Sequence, residues 1–436
     1  MYNKKNILLF LLLTIVFIAG CQANQEPDWK IALDCSEGIG NCEEVNITHT
    51  IKNCNEWSAW DDIENLDCTN TQQDLSQINL ITDPANHVRG EFTTKNYTTQ
   101  LLPYDLAGPW DFEFLPNNDI LLTERSGAVK LLRNNETRLI KEIDAVGWHV
   151  QGLYNSGLLG VAVHPNFEEN NKVYFYYTYE YDEEMFEEEG SKALTKNKIA
   201  QYTLQSNQLT YNQTILDEIP GSGYHTGGRL SFGPDQKLYL ATGDASLPET
   251  THEPDKLYGK ILRMNPDGTV PEDNPFETHS YSVGHRNPQG IAWNQQGQLY
   301  NSEHGPKRHD EINQVKPGKD YGFNAYRCDE RYRANFVRRN NEEPVYCSKQ
   351  WTMAPSGMTY INNESHPWHD SFFVTLLRGK HIHRFVLEDD TVVKRDIFFV
   401  NQDIEGLSQR LRHVEYHQGN LYAIGDSEGM IKITPN

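Results

Sequence analysis

The sequence contains a single long hydrophobic run and lacks the marks of several common protein classes. The run covers residues 7–20, and its fourteen residues are too few to cross the hydrocarbon core of a bilayer. The cysteines show neither zinc-finger spacing nor the C-x-x-C-H pattern of haem attachment. Lysine and arginine total 39 against 61 aspartate and glutamate residues, so the formal charge is −22. A chain this acidic repels phosphate backbones, which excludes nucleic acid as an expected partner, and the lack of a second hydrophobic run predicts that the rest is soluble.

The short run has the features of a signal peptide. Lys4 and Lys5 precede it, and it ends in Ile-Ala-Gly before Cys21, which resembles a bacterial lipobox. This pattern predicts that residues 1–20 are a signal peptide cut before Cys21, whose thiol then carries lipid. The expected location is the cell envelope, at the periplasmic face of the outer membrane in a Gram-negative cell, with that lipid as the only membrane contact. An ordinary secretory signal followed by an incidental cysteine is the alternative.

Six further cysteines agree with export, because an even number in an oxidising compartment suggests disulfides. Four of them lie in residues 21–88, a polar, acidic segment that we expect to be a lipid-anchored, cysteine-containing extension. The other two bracket one polar loop, so we expect them to pair with each other and the first four to pair among themselves. The six are Cys35, Cys42, Cys54 and Cys68 in the extension, and Cys328 and Cys347 at the loop.

In residues 89–436 one pattern recurs six times: a short alternating strand, a turn rich in Pro, Asn, Asp or Gly, and a second apolar strand. Such alternation predicts hairpins, and six hairpin units predict an all-β protein, a six-bladed β-propeller. A β-sandwich or two smaller barrels would not require six copies in register. Residues 97–102 are the candidate N-terminal strand that closes the ring. The residue before each turn marks the register, and these six marker residues are Phe114, Val163, Phe232, Trp293, Tyr360 and Tyr416.

Polar residues at regular distances from the marker residues are predicted to lie at one mouth of the central channel. The start of an inner strand and the end of the second strand share a face, because a hairpin joins them. Seven polar residues fall four to eight positions before a marker, and two fall eleven or twelve after one. They are Asn155, His225, Arg286, Asn287, Thr352, Arg410 and Arg412 before, and Asp244 and His304 after.

Arginine dominates this predicted mouth. Arg410 and Arg412 are two residues apart on an extended chain and therefore point the same way, and Arg286 joins them, with Arg378 as a fourth candidate. Guanidinium groups suit carboxylates, so an anion site is predicted, with salt bridges between blades as the alternative. His225 becomes a reasonable general base if a neighbouring carboxylate orients it; alone, it would be read as structural.

Several longer motifs resemble those of the soluble glucose and aldose sugar dehydrogenases that depend on pyrroloquinoline quinone (PQQ). They run in the expected order from about residue 110 to the end. That family consists of six-bladed propellers, so the resemblance implies the fold that the repeats predict independently. The motifs are HTGGRLSFGPDQKLY from residue 225, TGD from 242, GKILRMNPDG from 259, GHRNPQG from 284, SEHGP from 302, DEIN from 310, YG from 321 and APSGM from 354.

The resemblance implies an oxidoreductase that converts the anomeric hydroxyl of aldose sugars to lactones. His225 would take the hydroxyl proton as hydride passes to the quinone carbon of PQQ, Asp244 would hold the imidazole, and Arg286 would stabilise charge on the quinone oxygen. PQQ is a planar tricarboxylate, which accounts for the arginines. The implied cofactor contacts are Asn155, Arg286, Asn287, His304, Thr352, Arg378, Arg410 and Arg412.

The resemblance also implies Ca²⁺, a sugar substrate and an unidentified electron acceptor. Carbonyl oxygens of Gly305 and Pro306 match those that hold Ca²⁺ against PQQ, while Glu311 and the carbonyl of Tyr321 match a second, structural calcium. Two departures from the family concern sugar preference and cofactor affinity. Arg378 stands where the glucose enzymes use lysine, and Tyr224 precedes His225 where a short polar residue is common.

Two other functions compete with this interpretation. A calcium-dependent lactonase would need a carboxylate-lined metal at the centre of the channel, whereas the predicted mouth is rich in arginine and poor in acids. A non-catalytic propeller that binds a partner at the cell surface would not need the cofactor residues. The presence of His225, Asp244 and Arg286 argues against this second alternative.

Overall fold

A computed structural model describes most of the chain from residue 97 onward. Only two paired strands of the first 82 residues are described, β1 (Trp29–Ile31) and β2 (Val45–Ile47). The predicted signal peptide, the lipidated Cys21 and the four cysteines of the extension lie outside the described residues. Among the described residues, no helix has the length and apolar character needed to span a bilayer. The described ranges are 97–146, 155–180, 195–323, 328, 341–349, 352–378, 381–398, 404–408 and 410–436, with β1, β2 and β3 (Gly90–Phe92) before them.

Apart from β1 and β2, the described strands form six sheets built on antiparallel strands, which are the six blades of a propeller. Blade 5 gains β3 as a fifth, parallel strand, and blade 6 gains β4 (Tyr97–Leu102). Blade 1 consists of β5 (Pro109–Phe114), β6 (Ile120–Glu124), β7 (Ala128–Arg133) and β8 (Glu136–Glu142). Blade 2 consists of β9 (Leu158–Val163), β10 (Lys172–Glu180), β11 (Thr195–Gln205) and β12 (Gln208–Pro220). Blade 3 consists of β13 (Leu230–Phe232), β14 (Leu238–Thr242), β15 (Lys260–Met264) and β16 (Ser280–Val283).

Blades 4 to 6 repeat the arrangement with shorter or longer outer strands. Between β9 and β10 lies a helical turn, α1 (Phe167–Asn170), and a 3₁₀ turn covers Pro248–Thr250. Blade 4 consists of β17 (Pro288–Trp293), β18 (Leu299–Glu303), β19 (Glu311–Val315) and β20 (Tyr346–Cys347). Blade 5 consists of β21 (Pro355–Ile361), β22 (Ser371–Leu376), β23 (Ile382–Glu388) and β24 (Thr391–Phe398), with β3. Blade 6 consists of β25 (Leu411–His417), β26 (Asn420–Gly425) and β27 (Met430–Pro435), with β4.

The six-bladed propeller predicted from the repeats is confirmed. Each marker residue is the last or next-to-last residue of the first strand of its blade. The predicted closing strand is β4, which pairs antiparallel with β27, from Leu102 opposite Met430 to Tyr97 opposite Pro435. The first and last strands of the ring therefore share one sheet. Cys328 and Cys347 form a disulfide, the pairing expected from the sequence.

Adjacent blades are joined by buried apolar layers and by a repeated hydroxyl contact. Tyr174 and Tyr176 of β10 are fully buried between blades 2 and 3. Thr123 donates from blade 1 to the Leu159 carbonyl at 2.6 Å, and Ser302 makes the equivalent contact from blade 4 to blade 5. Both hydroxyls lie nine residues after a marker, so the repeat also sets the contact between blades.

A buried charged group fills the channel below the mouth. We call Asp111, Glu113, Arg229, His413 and Glu415 the channel cluster. The Arg229 guanidinium pairs with Asp111 and also donates from Nε to the Gln289 carbonyl at 3.0 Å. Burial raises the pKa of Asp111 to about 6 and that of Glu113 to about 8, in the second case with help from the Asp111 charge. The prediction of few acids concerned the mouth only, and these carboxylates lie deeper in the channel.

Three glycines make room for these large side chains. The position three residues before each marker carries a charged or titratable residue in blades 1, 3 and 6, and glycine in blades 2, 4 and 5. A Cβ on Gly357 would lie 2.1 Å from Nδ1 of His413, so only glycine fits beside that ring. The six residues at this level are Asp111, Gly160, Arg229, Gly290, Gly357 and His413.

Candidate active site

His225 and Asp244 lie on two turns that are tied together at the mouth of blade 3. His225 precedes β13, Asp244 follows β14, and the imidazole Nδ1 lies 2.7 Å from the Asp244 carboxylate. His225 has a left-handed backbone, with φ of 56°, and the amide of Ala245 donates to its carbonyl at 3.2 Å. A Cβ on Gly243 would lie 1.8 Å from the same carbonyl, so glycine is required at this contact. These contacts therefore fix the backbone from which the imidazole of His225 extends.

Arg286 completes the catalytic group predicted from the sequence. Its Nη2 lies 2.9 Å from Nε2 of His225, and its Nη1 donates to the His304 carbonyl at 3.1 Å. The backbone of Arg286 is also held, because its amide donates to Glu303 and its carbonyl accepts from Asp244 at 2.6 Å. With Asp244 accepting at Nδ1, the other ring nitrogen of His225 presents its lone pair toward Arg286.

His304 and Asn287 lie in the same region of the mouth, beside Arg286 and the His225 turn. Burial, together with the positive charges of Arg286 and Arg412, lowers the pKa of His304 to about 3, so its imidazole is neutral. The side-chain carbonyl of Asn287 accepts from the Gly227 amide at 3.2 Å and from the Gln289 side chain at 3.1 Å. Asn287 thereby links the His225 turn to blade 4.

Arg410 and Arg412 converge on one carboxylate, that of Asp426. Nε of Arg410 donates at 2.9 Å and Nε of Arg412 at 2.8 Å. The Arg410 side chain is 51% exposed and that of Arg412 is 9% exposed, so the pair runs from the surface into the channel. Burial alone would raise the pKa of Asp426, but the nearby Arg412, Arg125 and Arg410 charges lower it below its ordinary range.

Three other predicted residues lie near the mouth with weaker ties to this group. The amide of Asn155 donates to the Gly223 carbonyl at 3.2 Å, close to the His225 turn. The Thr352 hydroxyl donates to the Lys307 carbonyl. Arg378 is exposed, and its guanidinium makes no hydrogen bond or ion pair with the described residues. Of the predicted arginines, Arg378 is thus the least integrated.

The residues predicted to hold cations surround a small cavity beside Arg286. Its volume is about 20 Å³, room for about one water-sized group. The amide oxygens of Asn301 and Asn313, both buried in this blade, accept no hydrogen bond from the described residues. Burial and the neighbouring Glu303 charge raise the pKa of Glu311 well above its ordinary value. The cavity is lined by Arg286, Glu303, His304, Gly305, Pro306, His309, Glu311, Tyr321 and Phe323.

Among the described residues, no three His, Cys, Asp or Glu side chains come together as a metal-binding group. A cation here would therefore draw on carbonyl and amide oxygens, which suit a hard ion such as Ca²⁺. The loop that carries Gly305 and Pro306 is held by Asp310, which accepts from the Gly305 amide at 2.9 Å and from the Met353 amide at 2.6 Å. A Cβ on Gly305 would lie 2.1 Å from the His309 carbonyl, so this turn also requires glycine.

Three residues of this site were not identified from the sequence: Asp310, Asp426 and Arg125. Asp310 was visible only as part of a motif. Asp426 had a direct signal, because Ala-Ile-Gly-Asp426 repeats Ala-Thr-Gly-Asp244 at the end of a second strand. Arg125 falls eleven residues after its marker, as His304 does.

The comparisons agree with the fold and identify a family. Residues 106–432 match the family described as Glucose / Sorbosone dehydrogenase. The aldose sugar dehydrogenase YliI of Escherichia coli K12 is 29% identical over 361 residues, covering 77% of this chain and 92% of that protein. The quinoprotein glucose dehydrogenase B of Acinetobacter calcoaceticus is 31% identical over 315 residues, covering 65% of each chain.

A solved structure gives the same result. The PQQ-bound aldose sugar dehydrogenase from Streptomyces coelicolor aligns with a TM-score of 0.64 at 26% identity, covering 78% of this chain and 98% of that one. The family match extends over well more than half of the sequence and includes every predicted site residue. The protein is therefore an oxidoreductase of the sugar dehydrogenase type, and the chain belongs to the glucose/sorbosone dehydrogenase family.

Proposed function

We propose that this enzyme oxidises the anomeric hydroxyl of cyclic aldoses to the lactone, with PQQ as cofactor and Ca²⁺ beside it. The observation that carries the proposal is the series of contacts Asp244–His225–Arg286 at an arginine-rich mouth. The E. coli relative is named an aldose sugar dehydrogenase, and the Streptomyces structure is of a PQQ-bound one. Both names support this reaction class.

His225 is the general base of the proposed reaction. Its Nδ1–H is held by Asp244 at 2.7 Å, which orients the ring and stabilises the imidazolium that forms on proton uptake. Nε2 is then the atom that accepts the proton of the anomeric hydroxyl. When bound, PQQ would supply the electrophilic quinone carbon that accepts the hydride.

Arg286 has two tasks at this centre. Its Nη2 lies 2.9 Å from the atom that takes the proton, so it also lies within reach of substrate or cofactor oxygens near that atom. A guanidinium fixed by the His304 carbonyl stabilises developing negative charge without reorganising. It also lies against Nε2 of His225 and so helps to hold the imidazole that takes the proton.

The described residues fit an anionic cofactor. Arg286, Arg410 and Arg412 are gathered at one mouth of a chain whose formal charge is −22. Guanidinium groups held close together repel one another, an anion bound among them offsets that repulsion, and guanidinium forks match carboxylates. Asn287, Thr352, Arg378, Asn155 and His304 would supply the remaining contacts.

The oxygen-rich cavity of blade 4 fits Ca²⁺. Gly305 and Pro306 offer backbone carbonyls beside Arg286, while Glu311 and the carbonyl of Tyr321 border the same cavity. Asn301 and Asn313 donate to Glu303 and Glu311 of this cavity, and their amide oxygens accept no hydrogen bond from the described residues. Such oxygens are of the kind that a hard cation satisfies.

The two competing functions are less well supported. Asp111 of the channel cluster is paired with Arg229, whose cation already lies in the channel, where a lactonase would need its metal. A propeller that only binds a partner would not need Asp244 to orient His225 or Arg286 to face its free nitrogen.

Reconstitution tests the proposal. The full chain, supplied with PQQ and CaCl₂, is expected to reduce an artificial electron acceptor when an aldose is added, and a panel of aldoses ranks the substrates. Dye reduction should require PQQ and sugar together and should decline when a chelator removes Ca²⁺. The measurement is the initial rate of dye bleaching.

A methyl glycoside is the matched control, because its anomeric oxygen carries no proton. It should give no dye reduction even at high concentration. Equal rates with the free sugar and its methyl glycoside would overturn oxidation at the anomeric position. No spectral change on mixing PQQ, Ca²⁺ and protein would instead favour the binding propeller.

A further inference from the structure

Arg125 lies where the propeller ring closes, beside the two arginines of blade 6. It is the first residue after β6, and its Nη2 donates to the Asp426 carbonyl oxygen at 3.3 Å and lies 4.0 Å from the carboxylate. Its side chain is 12% exposed. Asp426 is thus approached by three guanidinium groups, two from its own blade and one from the next.

The backbone of Arg125 is fixed from both sides. Its amide donates to the Gly108 carbonyl at 3.0 Å, and its carbonyl accepts from the Leu158 amide at 3.3 Å. A Cβ on Gly157 would lie 2.2 Å from that carbonyl, so blade 2 also packs tightly against it. The side chain therefore starts from a defined point on the rim and reaches toward blade 6.

Three guanidinium groups converge on one carboxylate at this point. The ion pairs of Arg410 and of Arg412 are both with Asp426, and Arg125 approaches the same carboxylate. Burial, followed by repulsion from Arg412, lowers the pKa of Arg125 to about 10, although Asp426 acts in the opposite direction. An anion bound beside these groups would relieve the repulsion among them.

We propose that Arg125 is a further binding residue for a carboxylate of the cofactor, acting with Arg410 and Arg412 around Asp426. Asp426 is the positioning residue that holds the two forks of blade 6. This inference rests on the proposed function, since it takes the PQQ carboxylates as that anion. A purely structural role for Arg125, as a bridge between blades 1 and 6, is the competing explanation.

The test compares PQQ binding by the full chain with Arg125→Met and Arg125→Lys, in excess Ca²⁺. Binding is followed by the absorbance change on titration with PQQ, with no substrate present. Loss of one charge-assisted hydrogen bond is expected to raise Kd about 10- to 100-fold in Arg125→Met. Arg125→Lys keeps the charge but loses the fork, so its Kd should lie between those of the wild type and Arg125→Met.

A second readout separates binding from structure. If Arg125 contacts the cofactor, the rise in Tm that PQQ produces should shrink in both variants, more than the Tm without PQQ falls. Arg133→Met is the matched control, because Arg133 lies on the rim of the same blade, exposed and paired with Asp119, and its Kd should stay at the wild-type value.

The outcomes are distinguishable from failure of the proposed function. A wild-type protein that shows no PQQ binding overturns the function and this inference together. Wild-type binding with an unchanged Kd in both Arg125 variants overturns only this inference, and a lower Tm without PQQ would then assign Arg125 to the bridge between blades.

Discussion

Replacing His225 with alanine is expected to lower kcat for aldose oxidation about 10²- to 10⁴-fold, the range that a positioned general base contributes. The reason is geometric: its Nε2 faces Arg286 and its Nδ1 is held by Asp244, so no neighbouring group can replace it as base without moving. The measurement is kcat under saturating PQQ, Ca²⁺ and sugar, with the PQQ Kd determined separately.

Asp244→Asn and a remote histidine complete this experiment. Asn at position 244 removes the negative charge that stabilises a protonated His225, so kcat should fall, with the decline carried more by kcat than by KM. His164→Ala is the control, because His164 directly follows β9, at the end of that strand away from Asn155, and contacts Asn170. A His225→Ala enzyme with wild-type kcat would remove the general-base assignment altogether.

The fold was predictable because its information is local. Each blade starts with a hairpin whose alternation and turn residues lie within about fifteen positions, so six copies can be counted directly. The markers Phe232 and Trp293 end β13 and β17, as their places before turns required. The closing strand was predictable because the last repeat lies too close to the C-terminus to supply four strands. The strand that completes this blade is β4, which pairs with β27.

The site was predictable to the extent that it follows the same register. His225 and Asp244 come from the two ends of one hairpin, so their contact could be expected from the repeat alone. Asp426 occupies the place of Asp244 in blade 6 and could have been found by the same rule. The arginines predicted in this blade, Arg410 and Arg412, stand at the start of its first strand, whereas Asp426 follows its second strand.

Contacts between residues far apart in the chain could not be predicted from the sequence. Asp310 binds amides at Gly305 and Met353, and the second of these is 43 residues away across a long loop. Arg229 and Asp111 are 118 residues apart, and Arg229 belonged to a motif without any role predicted for it. Arg229 and Asp111 both stand three residues before a marker, so the repeat places them at one level of the channel, but it does not say which blades pair across it.

The channel cluster leads to the prediction with the largest expected effect on stability. Arg229→Met is expected to lower the free energy of unfolding at pH 7.5 by about 3–5 kcal/mol, the usual cost of removing one partner from a buried ion pair. Methionine approximates the length of the side chain but leaves Asp111, Glu113 and Glu415 facing one another without a cation. The measurement is urea unfolding followed by tryptophan fluorescence.

The loss should be smaller at pH 5 than at pH 7.5. The folded-state pKa values of Asp111 and Glu113, about 6 and about 8, lie above their ordinary values, so the fold favours the protonated carboxyls. Their contribution to stability is present at low pH and is lost as the pH rises through those values, and Arg229 limits that loss by pairing with the ionised form. Adding Asp111→Asn to Arg229→Met should therefore recover part of the stability at pH 7.5, whereas Arg138→Met, at an exposed position of the outer strand β8, should behave as the wild type at both pH values. A loss for Arg229→Met that is equal at both pH values would mean that packing against Trp110, and not charge, accounts for the role of Arg229.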